Sequence, residues 1–326
     1  PGAIQVNLDD KLLERLEKLF SGRGQSIKLA VPATCSTPRN SDDMLARHVQ
    51  LQNATFRLMG VEAAQSTYRL LVFRYQAVSD DKRVGIMRVG VNLGTGNLVD
   101  GMVDALYSGA LATGELPDPL GEDISGTWEQ RELALVVDRR LDLDIRQALA
   151  DFLAGMRRRK QRDLDRLHAY HTDLLAEASD KRNALSGRQD HPDVLDATNQ
   201  RHADRMNSIE REYHAKVLDL AHKYALEVRL EHVQTVDVTA PVWRYRLNIL
   251  RRKKTRLVLV DFNQQLRLLE PLLCEATSSR ETLRMVCDEA LHLVAPSAHG
   301  ACAQCKYAFC RACHRVACPK CRLPWS

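Results

Sequence analysis

The chain has 326 residues, a formal net charge of +5, 44% hydrophobic residues and 5% aromatic residues. That length buries a substantial core without disulfides or metals and accommodates two or three domains. No apolar run is long enough to span a bilayer, and Pro1-Gly2-Ala3-Ile4-Gln5 has neither the basic nor the apolar region of a signal peptide, so a soluble protein with no membrane partner is expected.

The start at Pro1 rather than Met suggests a piece of a longer protein. Asp9–Phe20 reads as a short amphipathic helix, with Leu12, Leu13, Leu16, Leu19 and Phe20 on one side and two aspartates in its first turn. Val31–Pro38 reads as loop, and Ser41-Asp42-Asp43 caps a helix running toward Gln52. Thr67–Val78 and Arg83–Val91 are β-rich runs around Ser79-Asp80-Asp81, which predicts a hairpin. Leu93-Gly94-Thr95-Gly96-Asn97 before a helix over Val99–Leu111 invites a phosphate-loop reading. It lacks a third glycine at the dinucleotide spacing, and the chain has no GK[ST], so an ordinary turn is expected. These elements predict an α+β head over residues 1–125.

Residues 126–224 change character to long charged helices. Leu153, Met156, Leu164, Leu167, His171 and Leu174 form one stripe, and His202, Met206, Ile209, Tyr213, Val217, Leu220 and Tyr224 a second. Ser186–Pro192 must turn, which predicts an antiparallel helical hairpin, or coiled coil, about 50–70 Å long. With no Asp or Glu on those stripes beside His171 and His202, a half-polar seam is expected rather than a metal site or pH switch. Over residues 225–270 the period switches to two: Leu226, Val228 and Leu230, then Val236 to Ile249, then Thr255–Phe262. This predicts a three-stranded antiparallel β-meander whose last turn is the basic loop Arg251-Arg252-Lys253-Lys254.

Eight of the nine cysteines lie in the last fifth of the chain, unlike a disulfide framework, and point to a reducing, cytoplasmic compartment. Over residues 271–326 they read Cys274, Cys287, Cys302-x₂-Cys305-x₄-Cys310-x₂-Cys313-x₄-Cys318-x₂-Cys321. A C-x₂-C turn presents two thiolates at the spacing of two vertices of a ZnS₄ tetrahedron. Six paired ligands make one and a half sites, so Cys274 and Cys287 complete two structural Zn²⁺ sites. The compact solution puts Cys302, Cys305, Cys318 and Cys321 on one ion and Cys274, Cys287, Cys310 and Cys313 on the other, with His292, His299 and His314 as alternates. Eight bound thiolates outweigh two Zn²⁺ by four charges and leave a net charge of about +1, so only local basic patches argue for nucleic acid. Two exist: Arg157, Arg158, Arg159, Lys160 and Arg162 on the first long helix, and Arg251, Arg252, Lys253 and Lys254 in the turn. Few aromatics stand near them for base stacking, and a solvated helix face and a soluble turn are the competing readings.

No catalytic constellation is present. Cys35 has no base or oxyanion hole in view, and Asp42-Asp43 and Asp80-Asp81 sit where carboxylates bond local backbone. Cys302–Cys313, with an aromatic before Cys310, is similar to a short stretch of the in-between-RING fold, but the further RING-type pairs of a ubiquitin ligase are missing. The order of parts and the segment Leu269-Glu270-Pro271-Leu272-Leu273-Cys274 resemble the C-terminal extension of bacterial Swi2/Snf2-type helicases, the group that includes the RNA polymerase-associated recycling ATPase. The resemblance implies an accessory region that contacts nucleic acid, a motor or a polymerase. The chain has no Walker A loop or DExH box, so any ATPase lies elsewhere. The expected function is therefore a non-catalytic nucleic-acid or protein interaction module with structural zinc, with oligomerisation possible through the helical arm. The alternatives are a coiled-coil scaffold with a zinc staple, and a thiol or redox enzyme.

Overall fold

The computed structural model describes residues 26–31, 40–113, 130–186, 192–277 and 281–324. The helix expected over Asp9–Phe20, Cys35, and all but the ends of the Ser186–Pro192 turn lie outside them. Among the described residues the architecture is α+β, with five α-helices, a mostly antiparallel sheet and a cysteine-rich end.

In chain order the elements are β1 (Ser26–Ala30), α1 (Ser41–His48), β2 (Thr55–Val78), β3 (Lys82–Asn92), α2 (Asp100–Thr113), α3 (Gln130–Ala148), α4 (Ala150–Ser186), α5 (Pro192–Lys223), β4 (Glu227–Arg251), β5 (Lys254–Asn263) and β6 (Leu268–Leu269). The sheet runs β3-β2-β4-β5-β6, and β1 lies parallel to β4 with Ser26 opposite Thr235 and Ala30 opposite Thr239.

Two sequence expectations are corrected here. The three-stranded meander does not form: β4 is one strand of 25 residues, hairpinned to β5, and its other neighbours come from the stretch predicted as head. No Gly, Pro or Asn interrupts residues 227–239, so nothing turns the chain where the meander needed a turn. Head and meander strands thus share one sheet, and Gln130–Ala148 is a helix separate from the hairpin.

The chain falls into two compact units, one of Pro1–Arg74, Ile86–Ile145 and Leu230–Ser326, the other of Tyr75–Gly85 and Arg146–Arg229. In the first unit the strand period of two sorts β4 between faces. Val236, Val238, Ala240 and Val242 pack with Tyr68, Leu70 and, from α2, Met102, Val103 and Leu106. Tyr245, Leu247 and Ile249 point to the other face, against Leu45 and Val49 near α1 and Leu272, Val286, Leu291 and Leu293 of the cysteine-rich end. Leu93–Asn97 is a turn, as expected, with Gly96 at φ 71. Its Thr95 Oγ1 and Asn97 Nδ2 donate to the buried carboxylate of Glu270, a partner that excludes a phosphate cradle.

In the second unit α4 and α5 pack antiparallel. Asp163 bonds Lys223 and Tyr224 at 2.9 and 2.8 Å, while further along α4 His171 stacks on Tyr213 with ring centroids 4.2 Å apart. Glu210 Oε2 lies 3.2 Å from His171 Nε2, so a carboxylate does reach this seam, from just outside the apolar stripe. Arg159 pairs with Asp80 at 2.5 and 3.0 Å, and that hydrogen bond holds the Asp80 carboxyl below its usual range.

Candidate metal centres

After β6 the chain forms two small ladders: β7 (Met285–Val286) with β8 (Leu293–Val294), and β9 (His299–Ala301) with β10 (Ala308–Cys310). The first is pinned to the sheet unit by buried polar contacts. Arg284 adds its guanidinium, which donates to the carbonyls of Leu272 and Leu273, and burial pushes its pKa down. Asn53 bonds both backbone groups of Val286, at 3.1 and 2.8 Å.

Two of the C-x₂-C turns are built alike. Cys302 N donates to Tyr307 O at 2.8 Å, and Lys306 N donates back to Cys302 O at 2.9 Å. Cys318 N donates to Leu323 O, and Arg322 N to Cys318 O at 2.9 Å. The residue after each pair takes the left-handed conformation, Lys306 at φ 59 and Arg322 at φ 58, where glycine is the usual occupant. The two knuckles face each other: Cys302 Sγ is 3.6 Å from Cys321 Sγ, and Cys305 Sγ 3.6 Å from Cys318 Sγ. Thiolates bound tetrahedrally at ~2.3 Å stand about 3.8 Å apart, so the four sulfurs have the spacing of a cage. Backbone N–H groups of Cys305 and Gln304 pull the Cys302 thiol down to about 6, which favours the ligating thiolate.

The second group joins Cys287, His292, Cys310 and Cys313, whose donor atoms all lie within 4.8 Å of one another. His292 Nδ1 is 3.3 Å from Cys313 Sγ and 3.7 Å from Cys287 Sγ, and the two sulfurs are 3.7 Å apart. Burial raises the Cys310 and Cys313 thiols, the ordinary cost of crowding thiols away from water without a cation. Each of these two groups of four could hold one metal ion.

Cys274 is the point of departure from the expected ligand set. Its Sγ accepts from Ala295 N at 3.1 Å and lies 3.2 Å from Thr277 Oγ1, outside both groups of four. The β7–β8 hairpin explains the exchange: Cys287 and His292 flank its turn, with Cys287 N bonded to His292 O at 3.1 Å and Leu291 at φ 57. His299 and His314 are likewise not among the donors.

The predicted basic loop is largely engaged by this module. Arg251 and Arg252 pair with Asp288 at 2.9 and 3.0 Å, and Lys254 donates to the carbonyls of Asp288 and Glu289. Lys253 is exposed. Arg256, which sequence reading passed over, holds Glu275 through two bonds of 2.8 and 2.9 Å. On α4, Arg159 is engaged by Asp80, whereas Arg157, Arg158 and Arg162 are exposed and Lys160 is half-buried. No described helix is long and apolar enough to cross a membrane. Compared with protein-family models, curated proteins and solved structures, the chain matches none.

Proposed function

We propose that this chain is a non-catalytic interaction module, an accessory part of a nucleic-acid-acting machine, with two structural zinc ions in its C-terminal end and a coiled-coil hairpin as its contact arm. The observation that carries the reading is the division of labour among its basic residues. Arg251, Arg252 and Lys254 bond Asp288 and Glu289 of the cysteine-rich module, although Arg252 and Lys254 are exposed, while the exposed Arg157, Arg158 and Arg162 on α4 form no ion pair among the described residues. Thiolates with one imidazole suit Zn²⁺, and four protein donors leave no open position for a catalytic water. A reducing, cytoplasmic setting follows from thiols kept for metal.

A protein–protein scaffold is the second reading, favoured by Tyr170 and Leu218, which expose 53% and 61% of their surface on the hairpin. Two measurements separate the readings. Plasma mass spectrometry is expected to give two zinc per chain, about one in His292→Ala, and still two in Cys274→Ser. Zero zinc, with titratable thiols, would favour thiol chemistry instead. Fluorescence anisotropy with a labelled DNA duplex should show affinity that falls steeply with salt; no binding at low salt, with a co-purifying protein, would leave the scaffold reading.

A further inference from the structure

The net charge of the chain is concentrated at one end. Its 47 Lys and Arg exceed its 42 Asp and Glu by five, and residues 290–326 contain five Lys and Arg and no Asp or Glu, so residues 1–289 are balanced. The Cys302 and Cys318 knuckles fall within this carboxylate-free stretch and repeat one arrangement. Lys306 and Arg322 each follow the second cysteine of a knuckle, and Tyr307 and Leu323 come next. The backbone there is engaged in the turns, through Lys306 N, Tyr307 O, Arg322 N and Leu323 O. All four side chains are exposed, Tyr307 by 45% and Leu323 by 46%. Lys320, from within the second knuckle, holds its Nζ 6.0 Å from the centroid of the Tyr307 ring, so the two knuckles share one surface. Lys306, Lys320 and Arg322 form no ion pair among the described residues, in contrast to Arg251, Arg252 and Arg256.

Glycine takes the left-handed conformation of Lys306 and Arg322 without steric cost, so a long cationic side chain at both positions adds nothing to the turns themselves. Four thiolates on one Zn²⁺ would retain two negative charges, but these lie inside the knuckle pair, where Cys302 and Cys318 are buried, and the cations stand outside. Exposed cations attract a phosphate backbone, and an exposed tyrosine ring offers a stacking face to an unpaired base. A duplex hides its base faces and an acidic protein surface has none, so only a single strand uses both features of this surface.

We propose that the surface carrying Lys306, Tyr307, Lys320 and Arg322 binds a single-stranded nucleic acid, with the three cations on its phosphates and the Tyr307 ring stacked on a base. The proposal deepens the nucleic-acid reading above and rests on it. It assigns the contact to residues outside both basic runs that sequence reading singled out.

The test uses the full, zinc-loaded chain and a fluorescein-labelled 15-nucleotide oligothymidylate, titrated at several salt concentrations. Lys306→Gly/Arg322→Gly should keep its zinc, because glycine suits both turns, yet bind at least tenfold more weakly. It should also lose about 1.4 from the slope of log K against log salt, the share of two phosphates of a single strand. Tyr307→Ala should bind about tenfold more weakly with the slope unchanged, and Tyr307→Phe should stay within about twofold of the unaltered chain. In the unaltered chain, the oligonucleotide should protect Lys306 and Lys320 from acylation by a water-soluble ester, and this readout decides the matter if a variant loses zinc. Binding by the unaltered chain, with an unchanged glycine variant or with both lysines unprotected, overturns the site and leaves the broader reading standing. Binding of a 20-base-pair duplex but not of the oligonucleotide does the same. A weakened glycine variant with an unchanged Tyr307→Ala overturns the single-strand assignment, since any polyanion, an acidic protein surface included, would give that result. No binding of either nucleic acid by the unaltered chain at low salt overturns both readings.

Discussion

Glu270 carries its carboxyl into the interior of the sheet unit, 2% exposed, in line with Asp261 on the β5–β6 ladder. Asp261 has its own cation, Arg244, at 2.8 Å through two bonds. Among the described residues, the donors to Glu270 are neutral: Asn92 at 2.5 Å, Thr95 at 2.8 Å and Asn97 at 3.1 Å. Burial first, and the Asp261 charge second, push its pKa from 4.5 up to about 7, against the pull of those donors. The sign follows from the linkage between protonation and folding. A raised pKa means that the fold favours the neutral acid, so its contribution to stability is full below about pH 4.5 and is lost as the pH climbs through 7. The size is on the order of 3 kcal/mol for a shift of this extent. In Glu270→Gln the dependence disappears. The unfolding free energy of this variant, relative to the unaltered chain, should rise by about 2–3 kcal/mol between pH 5 and pH 8 in urea titrations. A difference that stays constant over that range would show that Glu270 does not titrate within it.

Helix α2 docks on β3 through a close approach at Gly90. Gly90 N donates to Asp100 Oδ1 and Val99 N to Gly90 O, each at 2.8 Å. A methyl group on Gly90 would lie 2.7 Å from Val103 Cγ2 and 2.9 Å from the backbone of Asp100, whereas one on Gly101, inside α2, meets nothing within 4 Å. Gly90→Ala should therefore cost about 1–3 kcal/mol by overpacking, and Gly101→Ala should gain about 0.5–1 kcal/mol through helix propensity. Equal effects in chemical denaturation would mean that α2 does not sit against β3 as described. The period of α2, the run of β3 and the second half of β2 were legible because each depends on local alternation alone, whereas residues 55–66, the first half of β2, were not read as strand. The clearance at Gly90 was not, since it is set by a helix ten residues away in sequence. The single long β4 was also missed, because a period of two reports burial and not which strand supplies the neighbour.

Over the whole molecule, the legible part of the site was the part that spacing alone decides. Each C-x₂-C turn fixes two sulfurs locally, so the group of Cys302, Cys305, Cys318 and Cys321 could be read from the sequence. The place of His292 beside Cys287 was legible only as one of three alternates, because four residues separate the two and the β7–β8 turn is what brings them together. The same packing decides what loss of the proposed metal ions would do. Leu272, Val286, Leu291 and Leu293 of the cysteine-rich end share a core with Tyr245, Leu247 and Ile249 of β4, so loosening that end exposes apolar surface on the sheet. The seam of α4 and α5 rests on other groups, the His171–Tyr213 stack and the Asp163 contacts with Lys223 and Tyr224, none of which is a metal donor. Ions that bind only the folded chain stabilise it by mass action, and a chelator removes that contribution. Chelation should therefore shift the unfolding of the sheet-bearing unit, followed by the fluorescence of Trp243 in a chain whose Trp128 and Trp325 are replaced by Phe, to lower denaturant. Most of the helical ellipticity at 222 nm should survive, since α4 and α5 alone supply 37 and 32 helical residues. Loss of both signals in one transition would show that the hairpin depends on the metal module for its fold, and a purely local staple would then be the wrong description of the two sites.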